Sequence, residues 1–386
     1  MLLTFSIAFW LSLTLLVYVY FGYPLAIIVI SKLSFSKHCY LAPVDSEDLP
    51  SISVLICAYN EEKSIQRRIE NILSNGYPLD KVQVIVASDG STDRTVPNAS
   101  CIAFQNLTIL DYKENRGRAA VQNDGVQNAQ GEIVVFTDAH TEFAFGCLEA
   151  LTRTLLDEST GCVVGNLTYL GNTTAISNSE GKYFSWEKRI RAAESRLGVL
   201  HTCTGACMAV RLALWRELTP IDDCDFTTPL DVILQGFRVV YTPAAVAYDY
   251  PSSSPKGELR VRIRQTSKNL AGTLKRWGYR SWFDHPFVGL SLLSHKILRW
   301  MSGFFLLALL VSNMFMFKLA WFYQMTLALQ ICFYMLALVG FLAEVLEKRI
   351  PLAALPYAFC VASTGMAVGV IKGLVGRAPA AYNKAD

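Results

Sequence analysis

The sequence carries little charge, and its N-terminal end carries none. Charged residues make up 17% of the 386 residues, 52% are hydrophobic, and residues 1–30 contain no Asp, Glu, Lys or Arg. About 20 apolar residues are enough to cross a bilayer. A secretory signal would need a basic start and a short apolar core, but there is no basic start here and the run continues through Tyr18, Tyr20 and Tyr23-Pro24. We therefore predict that residues 1–31 form a retained transmembrane anchor.

Several common motifs are absent as well. The ten cysteines form no Cys-x-x-Cys pair, so neither a zinc cluster nor a disulfide framework is indicated, and reduced thiols are expected. No G-x-G-x-x-G follows the first predicted strand, and no G-x-x-x-x-G-K-S/T occurs. These absences exclude a Rossmann dehydrogenase and a P-loop nucleotide hydrolase.

The C-terminal end is apolar again. Stretches 300–317, 320–343 and 351–371 predict about three transmembrane helices within residues 300–376. A basic segment, residues 249–299, precedes them, and basic flanks place the central domain in the cytoplasm. Its position beside the spans favours lipid headgroups over nucleic acid as partners. The orientation of the C-terminus stays open, because basic residues lie there as well: Lys372, Arg377 and Lys384.

The sequence pattern of residues 50–248 predicts one α/β domain. Four apolar, β-branched runs (51–58, 82–87, 107–110 and 132–137) alternate with helical spacing, which predicts a parallel, helix-covered sheet. Ligands bind at the carboxyl ends of such strands. Polar residues stand there at three ends. One of these ends presents Asp138 and His140, a carboxylate and an imidazole that can share a divalent cation. Such a cation commonly holds a pyrophosphate.

The order of the motifs resembles a known family. Ala58-Tyr-Asn-Glu61, Ser88–Thr95, Gly117–Asn123 and Phe136–Thr141 are similar to motifs of the inverting family 2 glycosyltransferases of GT-A fold, and the similarity continues to Trp300. It is closest to the membrane-embedded bacterial branch that makes exopolysaccharides. The resemblance implies a GT-A (Rossmann-like) domain flanked by transmembrane helices in the bacterial inner membrane. It also implies a nucleotide-sugar donor and a lipid-linked or saccharide acceptor.

The resemblance implies roles for individual residues. Asp89 matches the carboxylate that reads the base, which suits the N–H of a uracil. Arg118 is placed for the nucleotide or its phosphates, and Ala58, Asn60 and Glu61 belong to the first donor-binding turn. Asp138 and His140 match the family's metal-binding D-x-D, with Mn²⁺ at least as suitable as Mg²⁺ because one ligand is an imidazole. The alternative is that His140 only hydrogen-bonds the sugar.

The resemblance also implies a catalytic base and an acceptor side. Asp225 stands 11 residues before Gly236, the family's spacing for the general base. Its rivals are the neighbouring Asp222 and Asp223. Glu194, Gly205 and Arg262 match positions near the acceptor. Arg262 corresponds to the arginine of the Q/R-x-x-R-W motif of processive synthases. No tryptophan follows it, which weakens the case for processive synthesis.

We therefore expect a membrane-bound inverting glycosyltransferase that moves a sugar, from a UDP-sugar by preference, in polysaccharide biosynthesis. One alternative is a synthase that glycosylates a diacylglycerol-type lipid. Others are a transporter with a degenerate nucleotide-binding domain and a membrane-tethered nucleotide hydrolase. The sugar, the linkage and the oligomeric state are left open.

Overall fold

The computed structural model describes residues 2–34, 46–170, 175–249, 255–346, 348 and 350–377. Its centre is an eight-stranded sheet in the order β3-β2-β1-β4-β7-β6-β8-β5. The strands are β1 (Ile52–Ala58), β2 (Val82–Asp89), β3 (Leu107–Tyr112), β4 (Ile133–Asp138), β5 (Glu142–Phe143), β6 (Thr160–Tyr169), β7 (Met208–Arg211) and β8 (Arg238–Asp249).

The sheet is parallel only in its first half. β3, β2, β1 and β4 run parallel, as predicted. β7 is antiparallel to both β4 and β6, β8 is parallel to β6, and β5 is antiparallel to β8. The prediction of a parallel sheet concerned β1 to β4 and is confirmed for them; the sequence pattern makes no prediction for the pairing of β5 to β8. These later strands are paired by contacts distant in sequence, which strand periodicity does not reveal.

Helices cover both faces of the sheet. They are α3 (Ile65–Leu73), α4 (Thr95–Ser100), α5 (Arg118–Gln127), α6 (Cys147–Leu155), α7 (Ala175–Arg196) and α8 (Cys224–Leu234). Alternate residues of β1 point to opposite faces: Leu55 joins the core on the side of α5 and α8, whereas Val54 and Ile56 join the core on the side of α3 and α6. Burial on both faces explains why the strands are almost continuously apolar.

Long apolar helices stand at both ends of the chain. At the N-terminal end, α1 (Leu2–Val17), a π-helical turn and α2 (Tyr23–Leu33) form one 32-residue apolar segment. At the C-terminal end, α14 (Trp321–Val345) and α15 (Pro351–Leu374) are each long and apolar enough to cross a membrane. The described residues therefore contain three candidate spans, in accord with the prediction of apolar helices at both ends.

The predicted span at 300–317 is different. It corresponds to α13 (Ser302–Met316), whose 15 residues cover only about 22 Å, less than the roughly 30 Å of a hydrocarbon core. α13 is bent by 59° from the helical segment Pro286–Trp300. That segment consists of α11 (Pro286–Leu292), a second π-helical turn and α12 (Leu298–Trp300), and it follows the short α10 (Ser281–Asp284). The region is a fourth span only if the bent pair counts as one.

Helix α9 (Pro255–Arg276) packs lengthwise on α15 through glycines. A Cβ at Gly369 would lie 2.6 Å from the Thr266 Cβ and 2.9 Å from the Ile263 carbonyl oxygen, and Gly365 and Gly373 approach α9 similarly. Small residues at every fourth position let two helices come this close. The amphipathic segment predicted at 249–299 is therefore held against a candidate span.

Many basic residues of this segment face the protein's own acids. Arg276 lies 2.9 Å from both Asp222 and Asp231, in nearly complete burial. Lys296 and Arg299 approach Glu187 at 3.5 and 3.2 Å. Buried charges need such partners, so the sequence-based assignment of this stretch to lipid headgroups does not hold for these side chains.

A buried polar network joins α2, α7 and the segment Pro286–Trp300. The Tyr23 hydroxyl donates to Glu194 Oε1 at 2.7 Å, and His295 Nδ1 lies 2.8 Å from the same oxygen. His295 Nε2 also lies 3.2 Å from Glu187. Burial alone would raise the pKa of Glu194, but His295, His201 and the Tyr23 hydroxyl together outweigh burial and lower that pKa to about 2. The network therefore ties the N-terminal apolar segment to the α/β domain.

Candidate active site

A cleft opens at the carboxyl ends of β1, β2 and β4. Parallel register sets Ala58 beside Ser88 and Cys57 beside Asp138, so the polar residues that follow these strands share one edge. The cleft has a volume of about 260 Å³. Six of the residues predicted from sequence line it: Ala58, Glu61, Asp89, Arg118, Asp138 and His140.

Asp89 organises the loop before α5. One of its carboxylate oxygens accepts the N–H of Arg116 at 2.6 Å, and the other accepts the N–H of Gly117 at 3.0 Å. Gly117 has φ +88°, which favours glycine there, and it leads directly into α5. Burial raises the pKa of Asp89 even though these two bonds oppose the shift. Asp89 thereby holds the N-terminus of α5 toward the cleft and keeps lone pairs for a ligand.

Arg118, the first residue of α5, forms an ion pair inside the cleft. Its Nη2 lies 2.6 Å from Asp138 Oδ1, and this carboxylate raises the pKa of Arg118. Gly205 makes room for the guanidinium, because a Cβ there would lie 3.1 Å from Arg118 Nη2 and 3.7 Å from the Asp225 Cβ. Gly205 therefore forms a close backing to the site rather than part of its lining.

Three aspartates stand at the N-terminus of α8 in different environments. Asp222 is buried, pairs with Arg276, and accepts hydrogen bonds from the Thr219 amide and hydroxyl. Both Asp222 and Asp223 line the cleft, whereas Asp225 is not one of its lining residues. Burial raises the pKa of Asp225 to about 7, and Asp223 adds to the rise while Arg118 opposes it. These contacts make Asp222 a structural residue and leave Asp223 and Asp225 as candidates for the base.

His140 lies between two carboxylates. Its half-exposed side chain approaches Glu61 Oε1 at 3.9 Å and Asp249 Oδ1 at 3.5 Å. Asp249, which sequence reasoning missed, ends β8, and the pairing of Glu142 with Tyr248 brings that strand end beside His140. The sequence could have indicated Asp249, because it is an acidic residue at the end of an apolar strand. Its contact with His140, however, depends on the pairing of β5 with β8, which are far apart in sequence.

The donors present fit a cation that binds together with a diphosphate. Among the described residues, no three His, Cys, Asp or Glu side chains converge closely enough to hold a metal ion by themselves. Asp138 and His140 both line the cleft. Magnesium-type sites commonly take one or two protein ligands and complete their coordination with substrate phosphates and water.

Besides Gly205 and Asp225, three predicted residues lie outside the cleft lining. Asn60 has φ +55°, and its Oδ1 accepts the Thr92 amide at 2.8 Å, so it fastens the turn after β1 to the loop after β2. Glu194 is fully buried in the network with His295. Arg262 lies on the face of α9 toward Gly365 of α15.

Two basic residues of α9 do line the cleft, Arg264 and Lys268. They are one helical turn apart, so they share a face. Burial lowers the pKa of Lys268, while the carboxylate of Asp223 opposes the shift. The sequence could have indicated these two residues only as a basic pair four positions apart on a helix. It does not show that α9 folds back over the strand ends.

Comparison with known proteins identifies the domain. Residues 53–219 match the family model described as Glycosyl transferase family 2. The chain contains a family 2 glycosyltransferase domain. The resemblance predicted from the motifs is thereby confirmed, and with it the prediction of a transferase domain.

Relatives of the family 2 domain include bacterial polysaccharide enzymes. An N-acetylglucosaminyltransferase of Rhizobium meliloti is 27% identical over 269 residues, 65% of this chain and 60% of its own length. A poly-beta-1,6-N-acetyl-D-glucosamine synthase of Staphylococcus aureus is 25% identical over 236 residues, 57% of this chain and 55% of its own length. The match thus spans less than two thirds of either relative.

A solved structure shares the fold. The mannosyltransferase PcManGT from Pyrobaculum calidifontis, in complex with GDP-Man and Mn²⁺, superimposes with a TM-score of 0.71 at 21% identity. The superposition covers 96% of this chain and 99% of that one. The family 2 domain therefore has the predicted GT-A fold, and the likeness extends over the apolar helices as well.

Proposed function

We propose that this protein transfers a sugar, with inversion, from a UDP-sugar to a hydroxyl of a membrane-associated acceptor in polysaccharide biosynthesis. The observation that supports this most is the cleft at the strand ends. The cleft is lined by the Asp89 carboxylate and by basic side chains from two different helices. Asp225, whose pKa is raised to about 7, lies just behind it, beside Gly205. A nucleotide diphosphate needs the basic groups, and an acceptor hydroxyl needs the aspartate.

Each residue has a role in this proposal. Asp89 accepts the uracil N–H, with Ala58 and Glu61 beside the nucleotide. Arg118 and the N-terminus of α5 face the diphosphate, since a helix N-terminus favours anions. Asp138 and His140 would hold a divalent cation, Mn²⁺ or Mg²⁺, which neutralises charge on the diphosphate leaving group. Asp225 removes the proton from the acceptor hydroxyl.

The acceptor is proposed to arrive from the membrane. α9 forms one wall of the cleft with Arg264 and Lys268, and the same helix packs on the candidate span α15. This contact favours a lipid-linked acceptor and also suits the second candidate function, glycosylation of a diacylglycerol-type lipid. We propose that the domain lies on the cytoplasmic side of a bacterial inner membrane, where the basic residues flanking the spans would place it.

The proposed function predicts metal-dependent release of UDP. Full-length protein in detergent, supplied with a panel of UDP-sugars and an extract of bacterial lipids, is expected to release UDP with Mn²⁺ or Mg²⁺ and to stop when EDTA is added. Product analysis with a labelled sugar separates a glycolipid from a longer saccharide. Equal UDP release with and without acceptor would instead indicate a nucleotide hydrolase.

We predict that Lys268 and Arg264 bind the diphosphate. A hydrogen bond to a charged group is worth about 1.5–3 kcal/mol, so Lys268→Gln is expected to raise the KM for the donor about ten- to a hundredfold. Arg264→Gln should act in the same direction. The measurement is initial-rate kinetics over a range of donor concentrations.

Lys275→Gln is the matched control for Lys268→Gln. Lys275 lies on the same helix but is exposed, with its Nζ 3.4 Å from the Thr219 hydroxyl, and its loss should leave the donor KM unchanged. Equal effects of the Lys275 and Lys268 variants would show that only the overall charge of α9 matters.

A further inference from the structure

A second groove lies between α2 and α7 and shares no lining residue with the cleft. Its volume is about 370 Å³, and its floor is apolar. Leu25 and Ile28 contribute from α2, and Trp186, Ala192 and Ala193 contribute from α7. Its remaining lining residues are Ser31 and three basic residues, Lys32, Arg189 and Arg196, and none of the described lining residues is acidic.

The groove lies where a membrane surface would meet the protein. Lys32 is the first charged residue of the chain and lies in the last turn of α2. Before it, α2 exposes apolar side chains: Leu25 at 52%, Val29 at 53% and Ile30 at 52%. The apolar floor is thus continuous with the outer surface of a candidate span. Lys32 stands at the end of that span, and Arg189 and Arg196 of α7 line the same groove.

This combination matches the two parts of a phospholipid. Acyl chains are attracted to apolar surface, and basic residues next to a membrane attract anionic headgroups. The Ser31 hydroxyl already donates to the Ile28 carbonyl oxygen at 2.9 Å, so it has no unpaired proton to offer. Recognition of a headgroup in this groove therefore depends on positive charge.

We propose that the α2–α7 groove binds one anionic phospholipid. Its phosphate lies against Lys32, Arg189 and Arg196, and one acyl chain lies along Leu25 and Ile28. Because α7 also carries Glu187 and Glu194 of the buried network, this lipid would fasten the N-terminal span to the α/β domain from the outside. The lipid is distinct from any acceptor in the cleft, because the two cavities share no lining residue.

The fluorescence of Trp186 tests the proposal. Full-length protein is reconstituted in bilayers that contain brominated phosphatidylglycerol or brominated phosphatidylcholine with the same acyl chains. The signal of Trp186 is the difference between wild type and Trp186→Phe. With three basic residues near the headgroup, each worth about 1 kcal/mol, half-maximal quenching of that signal is expected at an about hundredfold lower fraction of phosphatidylglycerol than of phosphatidylcholine.

Removal of the three basic residues that line the groove should abolish the preference for phosphatidylglycerol. In Lys32→Gln/Arg189→Gln/Arg196→Gln, again measured with and without Trp186, the two lipids should quench equally. If the triple variant does not fold, Arg189→Gln alone should weaken the preference about fivefold. The matched control removes three exposed basic residues that do not line the groove: Arg67→Gln, Lys113→Gln and Arg216→Gln.

Two results would overturn the proposal. One is equal quenching of wild-type Trp186 by both lipids, which would mean bulk contact with the bilayer. The other is no quenching of Trp186 by either lipid, which would mean that protein or solvent fills the groove. Neither readout depends on sugar transfer, so the outcome is independent of the proposed catalytic function.

Discussion

Replacement of Asp225 by Asn is expected to lower sugar transfer by about 10² to 10⁴, the usual contribution of a positioned general base. The amide keeps the size of the side chain, so α8 and the cleft should stay intact. The loss should appear in kcat, with the KM for the donor nearly unchanged. The measurement is transfer of labelled sugar by purified protein, alongside the thermal unfolding temperature as a check on the fold.

The same residue predicts a pH dependence. Burial and the nearby Asp223 raise the pKa of Asp225 to about 7, and a base must be unprotonated to act. kcat/KM should therefore rise tenfold per pH unit below the pKa and level off above it. A cation bound at Asp138 would lower this pKa, so with metal present the midpoint is expected at or below pH 7.

Asp223→Asn distinguishes the two candidate bases. If Asp225 is the base, this variant stays active, and its pH midpoint moves to lower pH because a neighbouring negative charge is gone. If Asp223 is the base, Asp223→Asn should instead lower the rate of sugar transfer by about 10² to 10⁴. Asp222→Asn is predicted to affect stability first, since Asp222 pairs with the buried Arg276.

The predicted residues that the structure brings together at the cleft are those whose place follows from local pattern. Apolar runs predict strands, and parallel strands bring their carboxyl ends together, so Asp89, Asp138 and His140 could be gathered at one edge from sequence alone. The resemblance added Arg118 by its motif. These residues line the cleft because each lies within a few positions of a strand end in the parallel half of the sheet.

The residues missed are placed by contacts distant in sequence. Lys268 reaches the cleft because glycines of α15 let α9 dock closely. Asp249 meets His140 through the antiparallel pair of β5 and β8. Glu194 matched an acceptor-side position, yet its partners are Tyr23 and His295, about 170 and 100 positions away. Helical periodicity relates only near neighbours, so the sequence could not assign these partners to Glu194.

Disruption of this buried network should have the largest effect on stability. Removing one member of a buried ion pair costs about 3–5 kcal/mol, because the other charge is left unpaired. Glu194 and His295 are 0% and 3% exposed. His295→Ala would remove the imidazole that both Glu194 and Glu187 contact. For a domain of this size, we expect the thermal unfolding temperature in detergent to fall by about 6 °C or more.

A double-mutant cycle would show whether the pair itself is responsible. Glu194→Ala and His295→Ala should each be strongly destabilising, and the double variant should be less destabilised than the sum of the two, because no unpaired charge remains. Glu149→Ala is the matched control. It breaks the surface i,i+4 pair with Arg153, and such pairs contribute about 0.3–0.5 kcal/mol.

The network also predicts how stability depends on pH. The pKa of Glu194 is lowered from its ordinary value of 4.5 to about 2, so its contribution is complete above pH 4.5 and is lost as the pH falls toward 2. Glu194→Ala should remove part of that acid sensitivity while lowering stability at neutral pH. Strictly additive single variants with unchanged acid sensitivity would mean that the N-terminal span and the α/β domain are held together by apolar packing instead.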